Sequence, residues 1–138
     1  MKKVIIFCIL IFLTSCSNRQ EKNEISKNIY IQLKQSEWKV VDFSKAVPFR
    51  YEKVCILGPY TLNEYAKKTL GFYWDVEKET KISGNDGINL IAFVKDNKVI
   101  SHVEHPRGKG DFWKLSEKCF GYDHSMLTRT SKNDDWKY

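Results

Sequence analysis

Apolar residues recur along the chain with two spacings, one typical of helices and one typical of strands. Ile25, Ile29 and Leu33 follow each other at four-residue steps, which predicts one amphipathic helix. A short apolar run at residues 54–57 ends at a Gly-Pro pair and is typical of a buried strand. Residues 38–43 form another candidate strand. The first half of the domain therefore mixes helix and sheet.

Two longer segments, 88–95 and 98–104, give the clearest hairpin pattern. Asp96 and Asn97 lie between them, and both residue types tolerate the positive φ angles of a tight turn. Both alternating faces of the first segment are apolar, so we expect a central strand that is covered on both sides. The second segment alternates apolar and polar residues, which indicates a more peripheral strand.

A second helix is predicted between Thr61 and Gly71. Thr61 and Glu64 have the spacing of a capping box, in which each residue bonds the backbone of the other. An apolar face follows from Leu62 to Leu70, and Gly71 suits the left-handed position that ends a helix.

A third helix is predicted over residues 111–121, with Asp111 as its N-cap and Gly121 at its end. Its apolar side would consist of Phe112, Leu115 and Cys119. Residues 125–130 could close the sheet as a last strand. Together these elements predict an α+β domain, a small and mostly antiparallel sheet of roughly three to five strands with two or three helices packed on it.

The N-terminus has the layout of an export signal: a basic start, an apolar run at 4–13, and small residues before Cys16. As a helix the run spans about 15 Å, only half of a bilayer core. The stretch Leu13-Thr14-Ser15-Cys16 resembles the lipobox of bacterial lipoproteins. That resemblance implies that residues 1–15 are a signal peptide and that Cys16 becomes the acylated first residue. The alternative is an ordinary secretory signal.

Lipidation would place the protein at the cell envelope, since several acyl chains on one residue suffice for stable anchoring. Ser17 is not the aspartate associated with inner-membrane retention in enteric bacteria. The expected location is therefore the outer membrane, facing the periplasm, if the host has two membranes. Residues 16–24 would form the lipidated cysteine with a polar tether, and residues 25–138 a single domain.

Composition limits the size of this domain. The chain has 138 residues, a net charge of +6 and a hydrophobic content of 42%. Without the predicted signal about 120 residues remain, enough for one modest domain and too few for two. A multidomain enzyme and a polytopic membrane protein are excluded. The positive residues are scattered, and an envelope location excludes nucleic acid as a partner.

Two of the four cysteines remain for structural roles if Cys8 leaves with the signal and Cys16 carries lipid. In an oxidising compartment Cys55 and Cys119 could form a disulfide. The alternative is a pair of buried thiols that behave as small apolar side chains.

Neither metal binding nor hydrolysis is indicated by the residue pattern. His102 and His105 are three residues apart on a predicted strand, so they should point to opposite faces. Cys119 and His124 follow without a zinc-type spacing. The sequence contains no Gly-x-Ser-x-Gly motif. We expect no metal and no cofactor, and a small envelope hydrolase is the alternative function.

Aromatic residues are the most unusual feature, at 14% of the chain. They can line a binding groove or fill a small core. The loop 107–111 could bind an anion through its backbone amides and the start of the predicted helix, or it could be a solvated turn. The candidate binding surface consists of Phe49, Tyr51, Phe72, Tyr73, Trp74, Arg107 and Lys109.

Several segments together are similar to a family of small, uncharacterised bacterial lipoproteins and secreted proteins. The segments are Phe43-Ser44-Lys45-Ala46-Val47-Pro48-Phe49, Lys53-Val54-Cys55-Ile56-Leu57-Gly58-Pro59-Tyr60-Thr61, Gly71-Phe72, and the hairpin from Leu90 to Ile100. The similarity covers about residues 40–115. The family has Asp-Trp-Asp-Lys where this chain has Arg50-Tyr51-Glu52-Lys53. The resemblance implies an envelope domain and brings no catalytic residue.

The sequence therefore predicts a lipid-anchored, non-enzymatic binding module. Its expected partners are the membrane, through Cys16, and an envelope protein or a cell-wall component. One variant of this hypothesis is an immunity-type lipoprotein that neutralises an incoming toxin.

Overall fold

The structure is a computed structural model that describes the backbone of residues 5–138 and the side chains from Asn18 onward. The side chains of the predicted signal, residues 1–15, and of Cys16 are not among those described. Within the described range the helices are α1 (Ile5–Gln35), α2 (Phe43–Ala46), α3 (Asn63–Leu70) and α4 (Val76–Glu79). The strands are β1 (Val40–Asp42), β2 (Lys53–Leu57), β3 (Ile88–Lys95), β4 (Lys98–Pro106), β5 (Lys118–Gly121) and β6 (Met126–Thr128). The predicted α+β class is confirmed.

The larger sheet has the strand order β4-β3-β2-β5, and every neighbouring pair is antiparallel. The predicted hairpin is confirmed as β3 and β4, with Asp96 and Asn97 at φ 52° and 54° in the turn. β4 continues to Pro106, slightly beyond its predicted end. β4 is an edge strand, paired with β3 on one edge only, and α1 packs against it.

The two faces of this sheet carry separate apolar clusters, so β3 is covered on both sides as expected. On one face Ile25, Ile29 and Leu33 of α1 are at most 1% exposed, which confirms the predicted helical stripe. On the other face Ala66 and Leu70 of α3 are equally buried. Burying each large apolar side chain contributes about 1.5–3 kcal/mol, and α1 and α3 therefore hold opposite faces of one sheet.

The smaller sheet pairs β1 with β6, which confirms both of the short strands predicted there. Val41 and Leu127 face each other in this pair and are fully buried. The Gln32 side chain of α1 binds the backbone of Asp42 twice: its amide donates to the carbonyl (3.0 Å) and its oxygen accepts from the N–H (2.7 Å). These bonds fix α1 against the rest of the domain.

The predicted helix over residues 111–121 is wrong. A 3₁₀ turn occupies Trp113–Leu115, and β5 follows it. Phe112 and Leu115 are buried as expected, but Glu117 has a φ of 66° and its N–H donates to the carbonyl of Ile56. Pairing with β2 satisfies the backbone of this segment, and it overrides the helical spacing of the apolar residues.

The capping box at the start of α3 is also wrong. The Thr61 hydroxyl donates to the Gly58 carbonyl (2.7 Å), and Leu62 occupies the N-cap without a side-chain bond. Asn63 instead exchanges bonds with α4, since its N–H donates to the Glu77 carboxylate (3.0 Å). The predicted stop at Gly71 is confirmed by its φ of 88°.

The segment 17–24, expected to be part of a polar tether, is helical and belongs to α1. It contains neither glycine nor proline, so nothing in its sequence ends the helix. Glu21 accepts a hydrogen bond from Ser101 of β4 (3.3 Å), and the amine of Lys22 lies 3.2 Å from the His102 ring. The segment is therefore helical where a tether was expected, and Glu21 and Lys22 connect it to β4.

No helix in the described part of the chain combines the length and the apolar character needed to cross a bilayer.

Candidate functional site

The aromatic residues of the predicted binding surface lie on two faces of the sheet and do not form one surface. Phe49 and Tyr51 pack on Phe93, with ring centroids 5.7 and 5.1 Å away, and Tyr51 is 3% exposed. Phe72 and Trp74 are half-buried against the α3 side. Most of these aromatic side chains fill the core, which was the alternative that the sequence left open.

Tyr73 alone among them is strongly exposed, at 63%. The pKa of Tyr51 is raised to about 12 because burial disfavours its phenolate. Its hydroxyl lies 2.6 Å from that of Ser125. Tyr51 therefore has a structural hydrogen bond and no exposed polar group to offer a ligand.

The loop 107–110 does not offer Arg107 to a ligand. The Arg107 guanidinium donates to both carboxylate oxygens of Asp111, at 3.0 and 2.8 Å, and to the carbonyl of Asp86 at 2.9 Å. Burial raises the pKa of Asp111 and the bonds from Arg107 and Trp113 lower it, with a net shift below the ordinary value. Arg107 thus closes the loop on itself, while Lys109 remains exposed.

The disulfide between Cys55 and Cys119 is present. The two cysteines are direct register partners on β2 and β5, with Cα atoms 4.0 Å apart. Of the two alternatives that the sequence left open, the cross-link is the one that the structure contains.

A basic cleft of about 460 Å³ lies between α1 and the edge strand β4. Four cationic side chains line it: Arg19, Lys22, Lys27 and Lys109. Among the side chains from Asn18 onward, the one carboxylate in its wall belongs to Glu104, which also accepts a hydrogen bond from the backbone of Lys81 (2.6 Å). We call this cavity the α1–β4 cleft.

The cations of the α1–β4 cleft have no carboxylate partners among the described side chains. The ion pairs in that part of the chain join Lys39 to Glu37, Arg107 to Asp111 and Lys114 to Asp135. Lys109 instead lies over the Tyr30 ring, with its amine 5.8 Å from the centroid. Four positive charges therefore converge around one carboxylate, and this excess of positive charge makes the cleft attractive to an anion.

Ser26 lines the cleft, and His105 contacts it from the buried side. The hydroxyl of Ser26 lies 2.8 Å from Nδ1 of His105, which is fully buried. Burial lowers the pKa of His105 to about 4, opposed by the backbone carbonyl of Lys109. Nε2 has no hydrogen bond of normal geometry and faces Gly110, where a Cβ would lie 3.0 Å from it. A neutral imidazole is therefore built into the fold behind Ser26.

His102 and His105 point to opposite faces of β4, as predicted from their spacing. His102 stacks on Trp74 (5.2 Å) and His105 lies beside Phe112 (5.8 Å). The pKa of His102 is lowered to about 4, mainly by burial and secondly by the positive charge of Lys22. Within the described residues no three His, Cys, Asp or Glu side chains cluster as metal ligands would.

The contact between Ser26 and His105 resembles a nucleophile with its general base. The chemistry does not favour proton transfer, because an imidazole with a pKa of about 4 is a weak base near neutral pH. Its second nitrogen faces Gly110 and not a carboxylate. The pair serves to hold Ser26 in the wall of the cleft.

This cleft was not predicted from the sequence, although the spacing of its residues on α1 is visible there. Arg19, Lys22, Ser26 and Tyr30 recur at steps of three or four residues, and so do Arg19, Asn23, Lys27 and Tyr30, which places both rows on one side of a helix. The interpretation of residues 17–24 as a tether separated the first two residues of each row from the helix that carries the others.

Comparisons with protein-family models, with curated proteins and with solved structures find no match for this chain.

Proposed function

We propose that the chain is a bacterial lipoprotein, held at the cell envelope by acylated Cys16, and that its domain is a non-enzymatic binding module for an anionic ligand. The observation that supports the binding function is the α1–β4 cleft, where four cations face a single carboxylate. The motif that supports the anchor is Leu13-Thr14-Ser15-Cys16.

Charge favours a phosphate or carboxylate ligand in this cleft. Like charges held together on a partly enclosed wall raise the local potential, and an arriving anion relieves their repulsion. Arg19 can bind such a group through two parallel hydrogen bonds, and the lysines act as mobile point charges.

A small envelope hydrolase is the second candidate, since Ser26 and His105 are in contact. The low pKa of His105 counts against it. A fluorophosphonate probe decides between the two candidates: stable labelling of Ser26 would support the hydrolase, and an unlabelled chain supports the binding module.

Replacing Cys16 should abolish lipoprotein maturation. In a bacterial host the Cys16→Ala chain is expected to remain unprocessed by the globomycin-sensitive peptidase and to lose its partitioning into detergent. Cys8→Ala is the matched control, because it removes a thiol from the predicted signal and leaves the lipobox intact. Mass spectrometry and phase separation provide the readouts, and equal behaviour of all three chains would refute the anchor.

Neutralising the cleft should weaken anion binding by about tenfold or more, because charge-assisted bonds to the anion are lost. The variant Arg19→Gln/Lys27→Gln/Lys109→Gln changes three exposed side chains of the cleft. Its control, Lys67→Gln/Lys68→Gln/Lys78→Gln, removes the same charge from α3 and α4. Calorimetric titration of the full chain in detergent with inorganic pyrophosphate measures both. Equal weakening in the two variants would mean that only the total charge matters.

A further inference from the structure

The cations of the cleft lie close in sequence to the proposed lipid anchor. Arg19 and Lys22 follow Cys16 by three and six residues in the same helix, which corresponds to about 4.5 and 9 Å along its axis. The headgroup layer on each side of a bilayer is only about 5–8 Å deep. An anchor at Cys16 would thus bring these two side chains to the lipid headgroups.

We infer that the α1–β4 cleft binds the phosphate groups of anionic phospholipids in the membrane that holds Cys16, and that this contact lays the domain on the membrane surface. The inference rests on the proposed function, because it needs the lipid anchor. It adds the chemical class of the ligand and the orientation of the domain.

The position of Lys27 and Lys109 determines that orientation. Lys27 is about 16 Å from Cys16 along the helix axis, which is beyond the headgroup layer if α1 stands upright. Lys109 faces the same cleft from the end of β4. All four cations reach the headgroups only when α1 lies along the surface with the cleft turned toward the lipid.

Acidic residues on the other side of α1 favour the same orientation. Glu21 and Glu24 line a separate groove together with Lys45, Val47 and Pro48, so two carboxylates there face one cation. An anionic membrane attracts the cleft side of the helix and repels this groove. The segregation of charge around one helix therefore selects which side meets the membrane.

The helix does not use its apolar stripe for this contact. Ile25, Ile29 and Leu33 are buried against the sheet. The predicted contact is therefore electrostatic, with the domain folded and the acyl chains alone entering the hydrocarbon. It should weaken steeply with salt, because exposed charges are screened within about 3 Å at 1 M ionic strength.

Lysine acylation on the lipidated full chain tests the inference. The chain is bound to vesicles of phosphatidylcholine alone, or of phosphatidylcholine with phosphatidylglycerol, and treated briefly with acetic anhydride. We expect Lys27 and Lys109 to be modified roughly fivefold more slowly, or slower still, on the phosphatidylglycerol vesicles, since each cation near an anionic surface strengthens the contact by about that factor. Lys67, Lys68 and Lys78, on the opposite side of the sheet, should react equally on both.

The arms of this experiment separate the two proposals. Failure of the chain to float with phosphatidylcholine vesicles would refute the anchor. Flotation with both vesicles but equal modification of Lys27 and Lys109 would overturn the membrane contact and leave the anchor standing. Protection by inorganic phosphate in solution, without protection by phosphatidylglycerol, would assign the cleft to a soluble anion. Equal protection of every lysine would show a non-specific surface effect and would also overturn the inference.

A charge-matched pair of variants tests whether the cleft itself makes the contact. Arg19→Gln/Lys22→Gln should remove most of the protection of Lys27 and Lys109, whereas Lys67→Gln/Lys68→Gln should leave it unchanged. Unaltered protection in the first variant would contradict the assignment.

Discussion

Reduction of the Cys55–Cys119 disulfide is expected to lower the free energy of unfolding by about 4 kcal/mol. The two cysteines are 64 residues apart, so the bond restricts a large part of the unfolded chain. It also joins the short edge strand β5 to β2 inside the sheet, and within residues 5–138 β5 pairs with β2 alone. A loss of this size is a large share of the stability of a small domain.

Urea unfolding of the oxidised and the reduced full chain measures this effect. Reduction keeps both side chains in place, and the double variant Cys55→Ala/Cys119→Ala adds a loss of packing at fully buried Cys55. The variant should therefore be somewhat less stable than the reduced wild type. Superimposable curves for the oxidised and reduced chains would contradict the prediction.

The sequence could identify these two cysteines but could not choose between a bond and two thiols. Cys119 is spaced as part of a helical stripe with Phe112 and Leu115, and that prediction placed it on the wrong kind of element. The choice depends on the register between β2 and β5, which brings Cys119 opposite Cys55. That register pairs segments that are far apart in the sequence, so a local residue pattern does not reveal it.

Local signals explain which elements were predicted correctly. The hairpin of β3 and β4 combines a two-residue side-chain period with turn residues that accept positive φ, and both are properties of neighbouring residues. The segment 111–121 offers only a few apolar positions, which fit a helix as well as a turn followed by a strand. There the pairing with β2 decides, and no local pattern records it.

The same distinction applies to the cleft. The cations at 19, 22 and 27 lie at helical spacing, so half of the site could have been recognised from sequence. The other half, Lys109 and the wall of β4, is brought to α1 by packing of the helix stripe on the sheet. The aromatic residues that were predicted to form the surface are needed in the core of this small domain.

Acidification should destabilise the fold between about pH 6.5 and pH 4, because neutral His105 is buried with a pKa of about 4. In the unfolded chain a histidine has a pKa of about 6.5, so over this range the unfolded state binds more protons. The contribution of His105 is fully present above the unfolded pKa and is lost as the pH falls toward the folded pKa. A difference of this size corresponds to a loss on the order of 3 kcal/mol.

Histidine variants separate this effect from the titration of carboxylates in the same range. His105→Asn lacks the titrating group, so its stability should vary less with pH between 6.5 and 4, although it is less stable overall because packing on Phe112 is lost. His124→Asn is the matched control, since His124 is exposed. His102 is half-buried and its pKa is also lowered, so it should contribute a smaller part of the pH dependence of stability. The variant His102→Asn would remove that part. Urea unfolding at half-unit steps of pH measures the slopes. Parallel profiles for the wild type and His105→Asn would mean that the His105 imidazole is solvated. It would then not be a buried, neutral group behind Ser26.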